Sequence, residues 1–290
     1  MALKERDEVS GQVTTGHEWN GIKELNTPVP LPLWVFLISM TLFAVTWTVL
    51  MPSWPGINTY FRGLLGVDQQ VAVRQSLAEA EAERAGWTER LANEDFASLE
   101  ADDAIMKLVR QTGGVIFTDN CAACHGPQAL GNPGYPNLAQ SPMMWGDDID
   151  TVAETIRIGI NSTHGETRFA QMLAFGRDQM LPSADIRLLA QYVEGLSGTQ
   201  TLAGDDLAQA EALFAENCAS CHGEDAHGMV ETGAPNLTDA FWIYGGDRAS
   251  IRQSIYNGRQ GTMPAWEGRL TPAQIRLMAL YIVDLRAHAQ

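Results

Sequence analysis

The sequence is short of positive charge: 19 Lys and Arg stand against 35 Asp and Glu, a formal net charge of −16 over 290 residues. So acidic a chain repels nucleic-acid phosphates, which argues against a nucleic-acid partner, and attracts a basic protein, most strongly at low salt. Cysteine is sparser still. Cys121, Cys124, Cys218 and Cys221 are the whole complement, and all four fall into two C-x-x-C pairs. Nothing remains for a structural disulfide or a free thiol. Long apolar runs are absent but for one near the start. Hydrophobic residues are not scarce, however: at 45% hydrophobic and 19% charged, the composition excludes wholesale disorder. The length suits two modest domains with additional segments.

The one long apolar run extends from Leu33 to Met51 without a charge. As a helix it would span roughly 28 Å, close to the thickness of a bilayer's hydrocarbon core. Pro30 and Pro32 precede it and Pro52 follows, as at helix ends. Trp34 and Trp54 fall near its boundaries, where amphipathic rings favour the headgroup region. Some thirty residues of mixed charge come before it and no A-x-A site comes after, so it reads as a retained anchor rather than a cleaved signal. Lys4, Arg6 and Lys23 precede the run, whereas Arg62 alone lies within about twenty residues beyond it, which places the N-terminus in the cytoplasm. Of the charged residues, three basic and five acidic precede residue 52, leaving 16 basic and 30 acidic beyond. Any electrostatic steering therefore belongs to the outer part.

A repeat organises the remainder. VIFTDNCAACHG (Val115–Gly126) matches ALFAENCASCHG (Ala212–Gly223), and Pro136-Asn137-Leu138 matches Pro235-Asn236-Leu237. From there the match runs ungapped through Gly146/Gly245 to Gly159/Gly258, and then Met172 aligns with Met263. Each repeat closes on an amphipathic helix, with Ile186, Leu189, Ala190 and Val193 in one and Ile275, Met278, Ala279 and Ile282 in the other at i, i+3, i+4, i+7. Thr271, Pro272 and Gln274 supply a start signal for the second. These stripes read as core. Upstream, residues 68–106 are rich in Ala, Glu, Gln and Arg, which predicts a helical stalk over Gln70 to Ala92.

Each cysteine pair is followed at once by a histidine, giving CAACH (Cys121–His125) and CASCH (Cys218–His222). This spacing sets two thiols on one side of a helical turn, where they can add across haem vinyl groups, with the histidine beneath the iron. A thioredoxin-like pair does not need the histidine, and zinc sites pair their C-x-x-C units within one small domain. The motif predicts two covalently bound haem c groups, an iron site apiece. Thioether haem is made outside the cytoplasmic membrane in bacteria, which agrees with the orientation read from charge.

A sixth ligand decides between electron transfer and small-molecule chemistry, and methionine closes the site and raises the potential. Repeat position singles out Met172 and Met263 from the eleven methionines. Pro264 follows Met263 and constrains its loop, whereas Leu173 follows Met172. Rivals for the first iron are Met180, Met143, Met144 and His164; His17, His227 and His288 have no motif context and read as surface residues.

The pre-membrane stretch TTGHEWNGIKELNTP (Thr14–Pro28), together with WGDDI and AFGRDQML of the first repeat, resembles the dihaem subunit III of cbb3-type cytochrome c oxidase, with Asn20 where aspartate is common. The resemblance covers nearly the whole chain, although some members have two spans and many have proline where Leu173 stands. It implies that Cys121, Cys124, His125 and Met172 serve one haem, and Cys218, Cys221, His222 and Met263 the other. It also implies a haem-copper catalytic subunit and a monohaem cytochrome subunit as partners, a donor cytochrome c, and no catalytic residues in this chain. The expected architecture is all-α: a cytoplasmic segment (1–32), one transmembrane helix (33–51) in the bacterial inner membrane, a periplasmic stalk (52–106), and two tandem cytochrome c domains (107–198 and 205–290). The competing readings are an anchored carrier serving another respiratory complex and a dihaem peroxidase.

Overall fold

A computed structural model describes residues 5–198 and 201–288. The chain forms two compact units, one up to Ala82 and one from Glu83.

The first unit opens with a β-hairpin of β1 (Thr14–Trp19) and β2 (Ile22–Leu25), paired antiparallel with Trp19 opposite Ile22. Its two-residue turn is Asn20-Gly21, at φ 51° and 84°. A turn of this kind needs positive φ at both centres, and Asn-Gly supplies it at least cost. The expectation of an all-α chain omits this hairpin. The Asn-Gly signal was there, but the strands flanking it are too short for alternation to stand out. Helix α1 (Leu31–Leu50) covers the apolar run, begins with Pro32 in its first turn, and buries none of its residues within the chain. Phe36, Leu37, Leu42, Phe43 and Val45 are all exposed. A helix apolar on every side and unburied by its own protein suits lipid as its solvent. Beyond it the chain turns back, Leu64 and Leu65 donating to the carbonyls of Val49 and Leu50 at 3.0 and 3.1 Å. Helix α2 (Gln69–Asn93) fills the stretch expected to be helical.

In the second unit, α3 (Phe96–Glu100) and α4 (Asp103–Asn120) follow, each started by an aspartate, Asp95 and Asp102, that accepts from backbone N–H groups of the first turn. The four-residue helix α5 (Ala122–His125) carries the first motif, and α6 (Ile149–Ile158) and α7 (Ser183–Leu196) complete the first repeat. The second repeats the order with α8 (Gly204–Asn217), α9 (Ala219–His222), α10 (Arg248–Asn257) and α11 (Pro272–His288). The expected box at the start of α11 forms, Thr271 N–H donating to Gln274 Oε1 at 2.8 Å and Gln274 N–H to Thr271 Oγ1 at 3.3 Å.

The closing helices are core, but not of the repeats that they close. Leu277, Met278 and Leu280 of α11 are buried with Val109 and Phe117 of α4 and Val152 of α6. Conversely, Ile186, Leu189 and Val193 of α7 are buried with Phe214 of α8 and Ile251 and Ile255 of α10. Each closing helix thus seals the other repeat. The packing crosses between the ranges 107–198 and 205–290 that were expected as tandem domains. Arginine forks follow the same exchange: Arg110 of α4 holds Asp284 of α11 at 2.7 and 2.9 Å, and Arg248 of α10 holds Glu194 of α7 at 2.6 and 2.8 Å. The first core also reaches back into the expected stalk, since Leu91, Phe96, Leu99, Ile105 and Met106 are buried in it.

Close approach of α4 and α11 depends on Gly113. A Cβ there would lie 2.7 Å from the Tyr281 ring. Gly113→Ala is expected to lower stability by about 1–3 kcal/mol in chemical denaturation, despite alanine's better helix propensity; an unchanged midpoint would show that Tyr281 can swing away freely.

Candidate haem sites

Both motifs are positioned alike. Helix α4 ends at Cys121 and α8 at Cys218, each cysteine closing one helix and opening the short helix that holds its histidine. His125 Nδ1 lies 3.1 Å from the Pro136 carbonyl, and His222 Nδ1 lies 3.0 Å from that of Pro235. A carbonyl only accepts, so each Nδ1 carries the proton and each Nε2 keeps its lone pair for a metal. Burial pushes both imidazoles below their ordinary pKa, which keeps them neutral. The repeated Pro-Asn-Leu was visible in the sequence, but the role of its proline carbonyl was not, because a backbone acceptor leaves no residue-type signal.

The structure pairs the backbone at each methionine with the other repeat. Met172 packs against the second core, as Cys218 and Ala219 also do. Met263 lines a cavity of about 1200 Å³ with His125. The backbone enforces this crossing. Met263 and Ile160, just past α6, exchange both hydrogen bonds at 2.9 Å, and Met172 and Arg259, just past α10, do so at 2.8 and 3.1 Å. Gly159 and Gly258 permit the contact: a Cβ on Gly159 would lie 2.4 Å from the Met263 carbonyl oxygen, and one on Gly258 2.5 Å from that of Met172. The packing thus runs across the order along the repeat, by which Met172 was expected with the first motif and Met263 with the second. Order along a repeat carries no record of which copy a loop folds onto.

Among the rivals, Met180 is exposed, Met143 packs against the first core, and Met143 and Met144 both line the cavity. His164 has both ring nitrogens engaged: Nδ1 accepts from the Glu166 N–H at 3.0 Å, and Nε2 donates to Glu267 at 2.6 Å. It is committed to a salt-bridged cluster with Arg157, which also holds Glu154, Glu166 and Glu267. His17 and His288 are exposed, and His227 pairs with Asp225 at 3.0 Å.

The surroundings fit a haem. The cavity beside His125 has more apolar than polar wall and is larger than a typical small-molecule site. Trp145 lines it, and the buried indole N–H has no hydrogen-bond partner among the described residues. Such an orphan donor is costly unless a bound group accepts from it, as the acidic side groups of haem can. Arg168 lies over the Trp145 ring at 5.0 Å and Arg259 over the Tyr244 ring at 4.2 Å, setting a cation beside each aromatic.

Family comparisons agree. A cytochrome c profile matches residues 111–197, one for cbb3-type cytochrome c oxidase subunit III matches 205–282, and one for the N-terminal domain of the cbb3 oxidase protein FixP matches 11–58. The chain is 45% identical over 282 residues to a cbb3-type cytochrome c oxidase subunit FixP of Bradyrhizobium sp. (strain ORS 278), covering 97% of each. It is 39% identical over 288 residues to a subunit CcoP of Cereibacter sphaeroides, covering 98% of this chain and 99% of that one. The N-terminal match takes in the hairpin and α1, and the other two take in one repeat each, so with its two haem motifs the chain belongs to the family of cbb3-type cytochrome c oxidase subunit III, the FixP and CcoP subunits.

Proposed function

We propose that this chain is the membrane-anchored dihaem electron-entry subunit of a cbb3-type oxidase, not an enzyme by itself. Cys121 and Cys124 tether one haem and Cys218 and Cys221 the other. His125 and Met263 would flank the first iron, and His222 and Met172 the second. The observation that carries this reading is the doubled histidine geometry, in which a proline carbonyl orients each imidazole with Nε2 free for a metal. When bound, the haems supply one-electron chemistry, and six-coordinate His/Met ligation suits transfer rather than oxygen binding.

The chain's own contribution is to bury, tether and orient. Its segment before α1 lies in the cytoplasm and both repeats in the periplasm, as the placement of Lys4, Arg6 and Lys23 supports. The acidic outer part favours a basic donor cytochrome c, and the onward partners are a haem-copper catalytic subunit and a monohaem cytochrome subunit. Extraction from membranes in mild detergent tests this. The chain is expected to co-purify with haem-b- and copper-containing subunits in a complex that consumes oxygen; clean isolation as a monomer, with oxidase activity remaining elsewhere, would overturn it.

A further inference from the structure

Asn161 stands where the two methionine-bearing loops meet. It follows α6 by three residues and has φ 48°, a left-handed conformation that asparagine tolerates better than most residues. Its side-chain amide is used from both ends. Oδ1 accepts from the Ala170 N–H at 3.1 Å, while Nδ2 donates to the Ala170 carbonyl at 2.8 Å and to the Gly261 carbonyl at 2.7 Å. Ala170 lies two residues before Met172, and Gly261 two residues before Met263. One side chain therefore joins the approaches to both methionines. The neighbouring Ile160 is the residue that pairs with Met263 through the backbone. At the corresponding place after Gly258 the second repeat has Gln260, whose side chain makes no such bond among the described residues. The latch is thus single, at a point where the rest of the arrangement is doubled.

We propose that Asn161 is a positioning residue shared by both axial methionines, so that the sulfur–iron contacts at the two haems are held by one amide. This rests on the reading that Met172 and Met263 are the sixth ligands. With the amide in place, Ala170 and Gly261 are tied to a common point, and neither loop can withdraw its methionine without breaking bonds that also orient the other. Removing the amide frees both loops at once, whereas loss of an ordinary local contact would loosen one.

The test uses the oxidised full-length chain in its complex, the methionine-to-iron absorption band as readout, and imidazole as a competing axial ligand. Backgrounds carrying Met172→His or Met263→His leave one methionine band each, so the two sites are read separately. Asn161→Gly keeps the backbone conformation and deletes the amide; it is expected to lower the imidazole concentration that bleaches half the band by about tenfold in both backgrounds, as loss of a bond or two per loop implies. Asn161→Asp keeps the acceptor for Ala170 N–H but loses both donors, so its larger effect is expected on Met263. Unchanged imidazole titration with Asn161→Gly, or a change confined to one background, would overturn the shared latch. Failure of the ligand reading is distinguishable: a Met172→His or Met263→His background that keeps the full band shows that the methionine concerned is not a ligand. Two haems per chain and unchanged helical circular dichroism serve as the folding check, and Asn161→Asp decides the matter if Asn161→Gly fails it.

Discussion

Met263→Ala is expected to strip the sixth ligand from the haem held by Cys121 and Cys124, not from the haem of its own repeat. Met263 shares a cavity with His125 and is bonded through its backbone in both directions to Ile160 of the first repeat. Loss of the thioether opens a coordination position and lowers the potential of that iron by a sizeable fraction of the roughly 0.8 V range that axial ligands command. Chains keeping a single motif make the assignment. With Cys218 and Cys221 replaced by alanine, the remaining methionine-to-iron band should vanish on Met263→Ala and survive Met172→Ala. With Cys121 and Cys124 replaced instead, the dependence should reverse. A band that followed the methionine of its own repeat in both chains would refute the crossed ligation.

The second large effect concerns stability. Leu280 is fully buried in the core made with α4 and α6, although it belongs to the helix that closes the second repeat. Leu280→Ala should cost about 2–5 kcal/mol, the transfer of the lost methyl groups plus the cavity left behind. The location of the damage matters more than its size. Amide hydrogen exchange should show protection lost in α4 and α6 around the first motif, with α8 and α10 less affected. The converse substitution, Leu189→Ala in α7, should expose α8 and α10 first, because Leu189 is buried with Phe214, Ile251 and Ile255. Loss of protection in α8 and α10 on Leu280→Ala would mean that the exchange of closing helices is not what holds the repeats.

Both expectations turn on a feature that the residue pattern announces only halfway. The stripes Ile186–Val193 and Ile275–Ile282 say that a helix face is buried, since apolar side chains lower the free energy when removed from water. They do not say against which partner. Two copies of similar sequence present similar grooves, so a closing helix fits either. The choice falls to the connections and to particular contacts, such as Gly113 beneath Tyr281 and the Arg110–Asp284 and Arg248–Glu194 forks. The site divides in the same way. CAACH and CASCH are contiguous, and their chemistry follows from a spacing of three and an adjacent histidine. The loops of Met172 and Met263, the proline carbonyl behind each imidazole and the Asn161 amide bonds come from far along the chain or from backbone atoms, and neither source leaves a local pattern.

From sequence alone came the two C-x-x-C-H motifs at Cys121–His125 and Cys218–His222, the apolar helix that became α1, and the family, because each is written in neighbouring residues whose chemistry is local. Tertiary structure alone decided that α7 and α11 exchange partners, that Met172 and Met263 pair through their backbones with Arg259 and Ile160 of the other repeat, and that His164 is tied to Glu267. The physical reason is that burial and hydrogen bonding between repeats depend on which of two nearly equivalent surfaces a segment meets, and only the folded chain makes that choice.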